Sequence, residues 1–162
     1  MAAEPVPACV VVGVGDDAAV LRPTAGQDGI VTCDTLIEGR HFDLRTMSAA
    51  DVGYRAMAVN VSDVAAMGAA PVWAVVALEM REGVDAAAFA LAMYDGIMEA
   101  AREYGFAVVG GNVVGGVTRL GVAVTMGGEV DAGQAWRRAG ARAGDGVFVT
   151  GAFGGAALGL RA

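Results

Sequence analysis

The sequence predicts an α/β domain: one mixed β-sheet with helices packed on one face. Three observations lead there. Short Val-rich runs alternate with two Ala-rich stretches that carry capping residues at their ends. The alternation then gives way to consecutive strand-like runs, which suits an open mixed sheet. The chain has 162 residues, 56% of them hydrophobic and 18% charged, enough for one real core and too apolar for disorder.

The elements follow in order. Residues 9–14 and 18–21 are short apolar pieces on either side of Gly15-Asp16-Asp17. Residues 22–29 form a turn, because Pro23, Gly26 and Gly29 interrupt any regular element. A strand is expected over 30–33, ending at Asp34. Residues 48–67 form a helix: Ser48 caps it, Asp51 completes a capping box, Gly68 lies just past its end and Pro71 forbids continuation. Residues 72–78 are an unbroken β-rich run, hence a buried strand. Asp85 caps a second helix that runs through Tyr104 and stops at Gly105. Residues 106–109 form a buried strand before Gly110-Gly111-Asn112. A longer strand covers 120–130, with Gly127-Gly128 as a bulge. A last strand is expected at 147–150, and Gly151-Ala152-Phe153-Gly154-Gly155 opens a final apolar segment.

Composition excludes several kinds of function. No apolar run approaches the ~20 residues of a membrane helix. The opening MAAEPVPACVVVG has no basic stretch before its apolar run, so no secretory leader is expected. Net charge is −7 with no basic stripe, which disfavours nucleic acid. Cys9 and Cys33 make no disulfide framework, so a cytoplasmic setting is expected. All 11 basic residues are Arg. Without Lys there is no Walker A loop, no strand lysine of the protein-kinase type and no Schiff base. One His and two Ser leave few ways to assemble a catalytic triad. Chemistry here has to rest on carboxylates and backbone amides.

Four clusters offer them. Gly13-Val14-Gly15-Asp16-Asp17-Ala18 has the spacing of a dinucleotide fingerprint with Asp34 beyond it. Pro23, Gly26 and Gly29 leave no room for the helix that fingerprint needs. Adjacent carboxylates on a tight turn suit Mg²⁺, or they cap their own backbone. Thr32-Cys33-Asp34-Thr35 brings a carboxylate to a strand end, with Glu38 and His41 soon after; Asp34 also fits a turn and His41 a surface loop. Asn60-Val61-Ser62-Asp63 places Asn60 and Asp63 on one helix face among apolar neighbours, where polar groups carry a cost unless they are used. Gly110-Gly111-Asn112 offers bare backbone to a ligand, or is simply a tight turn.

Together these segments resemble the N-terminal domain of the thiamine-monophosphate kinase family, within the superfamily of aminoimidazole ribonucleotide synthetase. The matching text is GVGDDAAVL, VTCDTLIEGRHF, DVGYRAMAVNVSDVAAMGAAPVWAVVAL, YGFAVVGGN and RRAGARAGDGVFVTGAFGGAALGL, in family order. The resemblance implies an ATP- and Mg²⁺-binding domain over 1–150, with 151–162 as the start of a second domain. It implies a homodimer with ATP in a groove beside the interface. It implies Mg²⁺ ligands at Asp17, Thr32, Cys33, Asp34, Asp63 and Asn112, with Thr32 and Cys33 acting through backbone oxygens. ATP contacts fall to Tyr94, Gly111, Asn112 and Arg138, and a substrate contact to His41. The implied reaction is ATP-dependent phosphorylation of thiamine monophosphate to thiamine diphosphate, with no nucleic-acid or membrane partner. The rival readings are another ATP-using enzyme of the same superfamily with a different acceptor, and a truncated, catalytically silent nucleotide-binding or dimerisation module. Many family members carry Asp where this chain has Asn112. The helix that usually precedes the GDD strand is not seen, and the chain ends where the second domain should begin, as a fragment or a shortened product would.

Overall fold

Helix boundaries in this chain follow local chemistry. At the start of α1 (Ala49–Ala66) the Ser48 side chain accepts the Asp51 amide at 3.1 Å, while the Asp51 carboxylate accepts the Ser48 amide at 2.9 Å. At its end Gly68 turns the chain with φ of 72°. The Asp85 side chain accepts the Ala88 amide and caps α2 (Ala86–Tyr104), which Gly105 ends in the left-handed region. The structure, a computed structural model, describes residues 6–83 and 85–159.

Before these helices come β1 (Val10–Val12) and β2 (Val20–Leu21), an antiparallel pair, and β3 (Gln27–Ile37). Beyond them are β4 (Ala70–Arg81), β5 (Ala107–Val117), β6 (Gly121–Asp131) and a short α3 (Gly155–Gly159). The main sheet has the order β3-β6-β4-β5. β4 and β5 are parallel and joined through α2, whereas β6 runs antiparallel to both β3 and β4. The sheet is therefore mixed, and β3, β4 and β5 all point the same way.

Both helices lie on one face. Val122, Val124 and Met126 of β6 point into that core beside Leu78 and Ala74 of β4 and Leu36 of β3, against Val52, Met57 and Val64 of α1 and Met93 and Ile97 of α2. Thr32 and Asp34 share this face by register, opposite Met126 and Val124. The alternate rows carry Val31, Cys33 and Thr35 of β3, which stay exposed; Val31 keeps 66% of its surface.

Several strands differ from the sequence reading. β3 extends to Ile37, so Asp34 lies within the strand rather than at its end. Gly110-Gly111-Asn112 continue β5 instead of turning out of it. A Cβ at Gly111 would stand 2.2 Å from the Val76 carbonyl oxygen, so the glycine lets two strands approach. The bulge opposite Gly127-Gly128 belongs to β4, where the register shifts between Pro71 and Trp73. The glycines make room: a Cβ at Gly127 would strike the Trp73 ring at 2.1 Å, and one at Gly128 would meet Val64 Cγ1 at 2.5 Å. Residues 147–150 form no strand. Val147 is 93% exposed, and β-rich composition without a partner strand or a layer to bury against does not make a ladder. Residues 160–162 of the final apolar segment, like 1–5 of the opening, lie outside the described residues.

α1 and α2 touch through backbone. A Cβ at Gly53 would lie 2.1 Å from the Met93 carbonyl oxygen, and one at Gly96 would lie 1.9 Å from that of Ala50. On the outer side of the pair the Tyr54 hydroxyl lies 2.7 Å from a Glu103 carboxylate oxygen and 2.9 Å from the Tyr104 hydroxyl. In an exposed helix Gly→Ala stabilises by roughly 1 kcal/mol. Here Gly96→Ala is expected to destabilise by about 1–3 kcal/mol through overpacking. Denaturant titration reads the sign, and a stabilised variant would contradict the close crossing.

Candidate functional site

The sheet carries one group of candidate residues at each edge. At the β3 edge, α1 presents Asp63 to Thr32, whose hydroxyl donates to Asp63 Oδ2 at 2.8 Å. Asp34 is half-buried two residues further along β3, and its carboxylate has no hydrogen-bond partner among the described residues. One turn before Asp63, Asn60 is fully buried; its Nδ2 donates to the Ala56 carbonyl at 2.9 Å and its Oδ1 has no partner. The Trp136 amide donates to the Met67 carbonyl at 2.9 Å, and its indole rests on Gly68, where a Cβ would stand 2.9 Å from the ring. This pins the chain after β6 to the end of α1. A cavity of about 510 Å³ results, lined by Thr32, Asp63, Met67, Trp136, Arg137 and Arg138. Thr32, Asp63 and Arg138 are thus brought together, and the arginine at 138 reaches the carboxylate side of the site along with its neighbour.

At the opposite edge a groove of about 310 Å³ opens between α2 and the β4–β5 pair. Val76, Leu78 and Met93 form its apolar wall, and Tyr94, Gly111 and Asn112 line it as well. Tyr94 is half-exposed. A flat apolar slot with a phenol and free peptide groups at its margin suits an aromatic ring such as a nucleobase.

The two groups do not meet within one chain. Asp34, Val124, Val76 and Gly111 fall in one register row across the sheet. Three strand spacings separate its ends, about 14 Å. Asn112 falls in the next row, with Ala77, Ala123 and Thr35, on the other face. Asp17 lies in an exposed turn where its own amide donates to Asp16 Oδ1 at 2.8 Å. The Cys33 side chain is on the face opposite Thr32 and Asp34. Carbonyl directions alternate along a strand, so only one of the Thr32 and Cys33 carbonyls points away from β6. Among the described residues no three His, Cys, Asp or Glu side chains gather as a metal cluster. What stands at the β3 edge is a set of hard oxygen donors, the kind Mg²⁺ takes.

His41 sits at the end of β3. Its Nδ1 accepts the Ile37 amide at 3.0 Å, so the ring proton of the neutral imidazole is on Nε2. The loop around it is tied down. The Glu38 amide donates to the Leu120 carbonyl at 2.9 Å, and the Glu38 carboxylate accepts from Arg81 of β4 at 2.8 and 3.3 Å. Phe42 is buried beneath. Sequence reasoning missed Arg81 and Trp136. Trp136 had one signal, an indole immediately before two arginines; Arg81 had none, because its partner is 43 residues away.

The family described as AIR synthase related protein, N-terminal domain, matches residues 15–130. The chain belongs to that family. The AIR synthase related domain here is 43% identical over 149 residues to the thiamine-monophosphate kinase of Bacillus subtilis, covering 92% of this chain and 46% of that protein. The crystal structure of thiamine-monophosphate kinase from Stenotrophomonas maltophilia K279a superposes with a TM-score of 0.72 at 41% identity, covering 81% of this chain and 40% of that one. A structure described as AaThiL complexed with AMPPCP and TMP gives 0.62 at 36% identity, covering 73% and 37%. The chain spans about half the length of the curated relatives it matches.

One charge near His41 has a marked pH signature. Hydrogen bonds from the Arg45 side chain and amide pull the Asp43 carboxyl down to about 2. A carboxyl depressed on folding contributes stability that is present above its unfolded value, ~4, and is lost as pH falls through about 2. NMR titration is expected to show Asp43 still ionised at pH 3, and Arg45→Ala is expected to raise it part of the way toward the ordinary carboxylate range, because the backbone amide of residue 45 still donates to it.

Proposed function

We propose that this chain is the ATP- and Mg²⁺-binding part of a thiamine-monophosphate kinase that makes thiamine diphosphate from ATP and thiamine monophosphate. The observation that carries the reading is the meeting of Asp63, Thr32 and Arg138 in one cavity. The named relatives support it, one of them described as a complex with AMPPCP and TMP. Asp34, Asp63 and one β3 carbonyl are the residues that would hold Mg²⁺ at this edge. When bound, the ion neutralises charge on the transferring phosphoryl group.

The chain's own residues do the rest. A phosphate oxygen of the acceptor attacks the γ-phosphorus of ATP, forming one O–P bond as the β–γ bridge breaks and ADP leaves. The acceptor phosphate is already ionised near neutral pH, so no general base is needed, in keeping with a chain that has one His and no Lys. Arg138 offsets charge on the polyphosphate. The slot under Tyr94 takes the base. The two edges cooperate across a homodimer built on the uncovered sheet face, where Val31 is 66% exposed. A two-fold axis along the strands would set the β5 edge of one copy over the β3 edge of the other.

Calorimetry with ATP tests the metal dependence. We expect binding with Mg²⁺ and none with chelator. Asp63→Asn should weaken it about tenfold or more, whereas Asp28→Asn should leave it unchanged. Equal affinity with and without the ion would overturn the reading. Sedimentation tests the assembly. The chain should be dimeric, Val31→Arg should be monomeric, and a wild-type monomer at every concentration would exclude the dimer.

A further inference from the structure

We propose that Trp136 is a positioning residue for a polyphosphate: its indole, laid on Gly68 at the end of α1, holds Arg137 and Arg138 at the carboxylate site before any ligand arrives. The inference rests on the proposed function for the identity of the polyanion, a Mg²⁺-bound triphosphate, and on geometry for the latch itself. The cavity concerned is the one of about 510 Å³ that Thr32, Asp63, Met67, Trp136, Arg137 and Arg138 line together.

The latch has two parts, and only one depends on the side chain. The Trp136 amide donates to the Met67 carbonyl at 2.9 Å, one of the carbonyls that a helix end leaves without a partner. Any residue except proline could make that bond. The indole supplies the second part. A Cβ at Gly68 would lie 2.9, 3.0 and 3.1 Å from Cδ2, Cε2 and Cγ of the ring, so the indole turns its face to the glycine. The turn that ends α1 already favours glycine through its φ of 72°, and the bare Cα it leaves is a flat seat for the ring. With 67% of its surface exposed, Trp136 adds little to the core. What its contact fixes is the course of the chain that follows.

That course matters because Trp136 is the last anchor. Upstream, the Ala132 amide donates to the Gly26 carbonyl at 3.0 Å and the Gln134 amide to the Asp131 carbonyl at 2.9 Å. Downstream, among the described residues, the backbone hydrogen bonds of 137–159 stay within that stretch, as from the Asp145 amide to the Arg142 carbonyl. Arg137 and Arg138 are the first two residues past the anchor. Ordering a free backbone and two long side chains during binding costs affinity. Fixing the chain one residue before the pair removes part of that cost in advance. The seat also belongs to the right helix end. Asp63, which accepts from Thr32 at 2.8 Å, lies in the last turn of α1, just before Gly68. The latch therefore ties the guanidinium pair to the element that carries the carboxylate, and a metal-bound triphosphate needs both together.

The test is calorimetry on the whole chain with Mg²⁺, titrating ATP and, separately, inorganic tripolyphosphate. Wild type, Trp136→Ala and Trp136→Phe are compared, each also in a background where Arg137 and Arg138 are both changed to Gln, and melting curves check that every variant folds. We expect Trp136→Ala to weaken both ligands about tenfold, the scale of one charge-assisted hydrogen bond, and Trp136→Phe to restore most of the loss. In the arginine-free background Trp136→Ala should change affinity by less than about twofold, because the indole then has nothing to position. An equal loss in both backgrounds would make Trp136 a general structural prop and overturn the proposal. So would unchanged affinity in Trp136→Ala, or a wild type that binds neither ligand at millimolar concentration. If tripolyphosphate shows the expected coupling and ATP binds no more tightly than tripolyphosphate, the latch stands and the nucleotide reading falls.

Discussion

The backbone contact between α1 and α2 is the constraint on which the rest of the molecule depends. Gly53 meets the Met93 carbonyl and Gly96 meets that of Ala50, so neither helix can rotate or move outward without losing a contact that only glycine permits. α1 carries Arg55, Asn60 and Asp63, and α2 carries Tyr94 next to Met93 itself. One crossing thus sets the depth of the Tyr94 slot and the height of Asp63 above β3. The core beneath it, Val52 and Met57 against Val122 and Val124, is ordinary aliphatic packing that a different pair of residues could supply. The crossing is not replaceable in the same way.

The sheet follows a similar logic. β6 lies in the middle and is flanked by longer side chains, so its glycines are where neighbours intrude: Trp73 over Gly127, Val64 over Gly128, and Glu79 with Ile37 over Gly121. The last of these lies beside the Glu38–Arg81 ion pair, which links the ends of β3 and β4 across the start of β6. Half-buried, bidentate and short, that pair holds its geometry better than most surface ion pairs. It fixes the root of the loop that bears His41, and the Nδ1 bond to Ile37 fixes the ring.

What was legible in the sequence was local. Ser48, Asp51, Asp85 and Gly105 announce both helices because capping involves residues three or four apart. Strand lengths were not legible, since Asp34 and Gly111 continue their strands only because β6 and β4 lie alongside. The same reason removes the expected strand at 147–150, which has the composition and no partner. For the site, each of Thr32, Asp63, Tyr94, Gly111 and Arg138 could be singled out one at a time. Their division between two edges could not, because it depends on the strand order β3-β6-β4-β5, in which β6, last in sequence, separates β3 from β4.

The electrostatics of α1 differ between its first half and its last turn. Arg55 and Asp63 are eight residues apart, about 12 Å along the axis. A helix ends in unpaired carbonyls that carry partial negative charge, which disfavours a carboxylate and favours a cation. Asp63 lies in that last turn, and the turn holds no basic residue. Negative charge is thereby concentrated where the chain has arranged for something positive to arrive. Arg137 and Arg138, brought over by the Trp136 contact to Met67 and Gly68, supply positive charge there, and the proposed Mg²⁺ on Asp34 and Asp63 would supply the rest. Asn60 adds to the same balance. Its buried Oδ1 costs roughly 1–3 kcal/mol unpaired, and an aliphatic side chain of similar size would remove that cost. The amide stands one turn from Asp63, with its Nδ2 spent on the Ala56 carbonyl of its own helix.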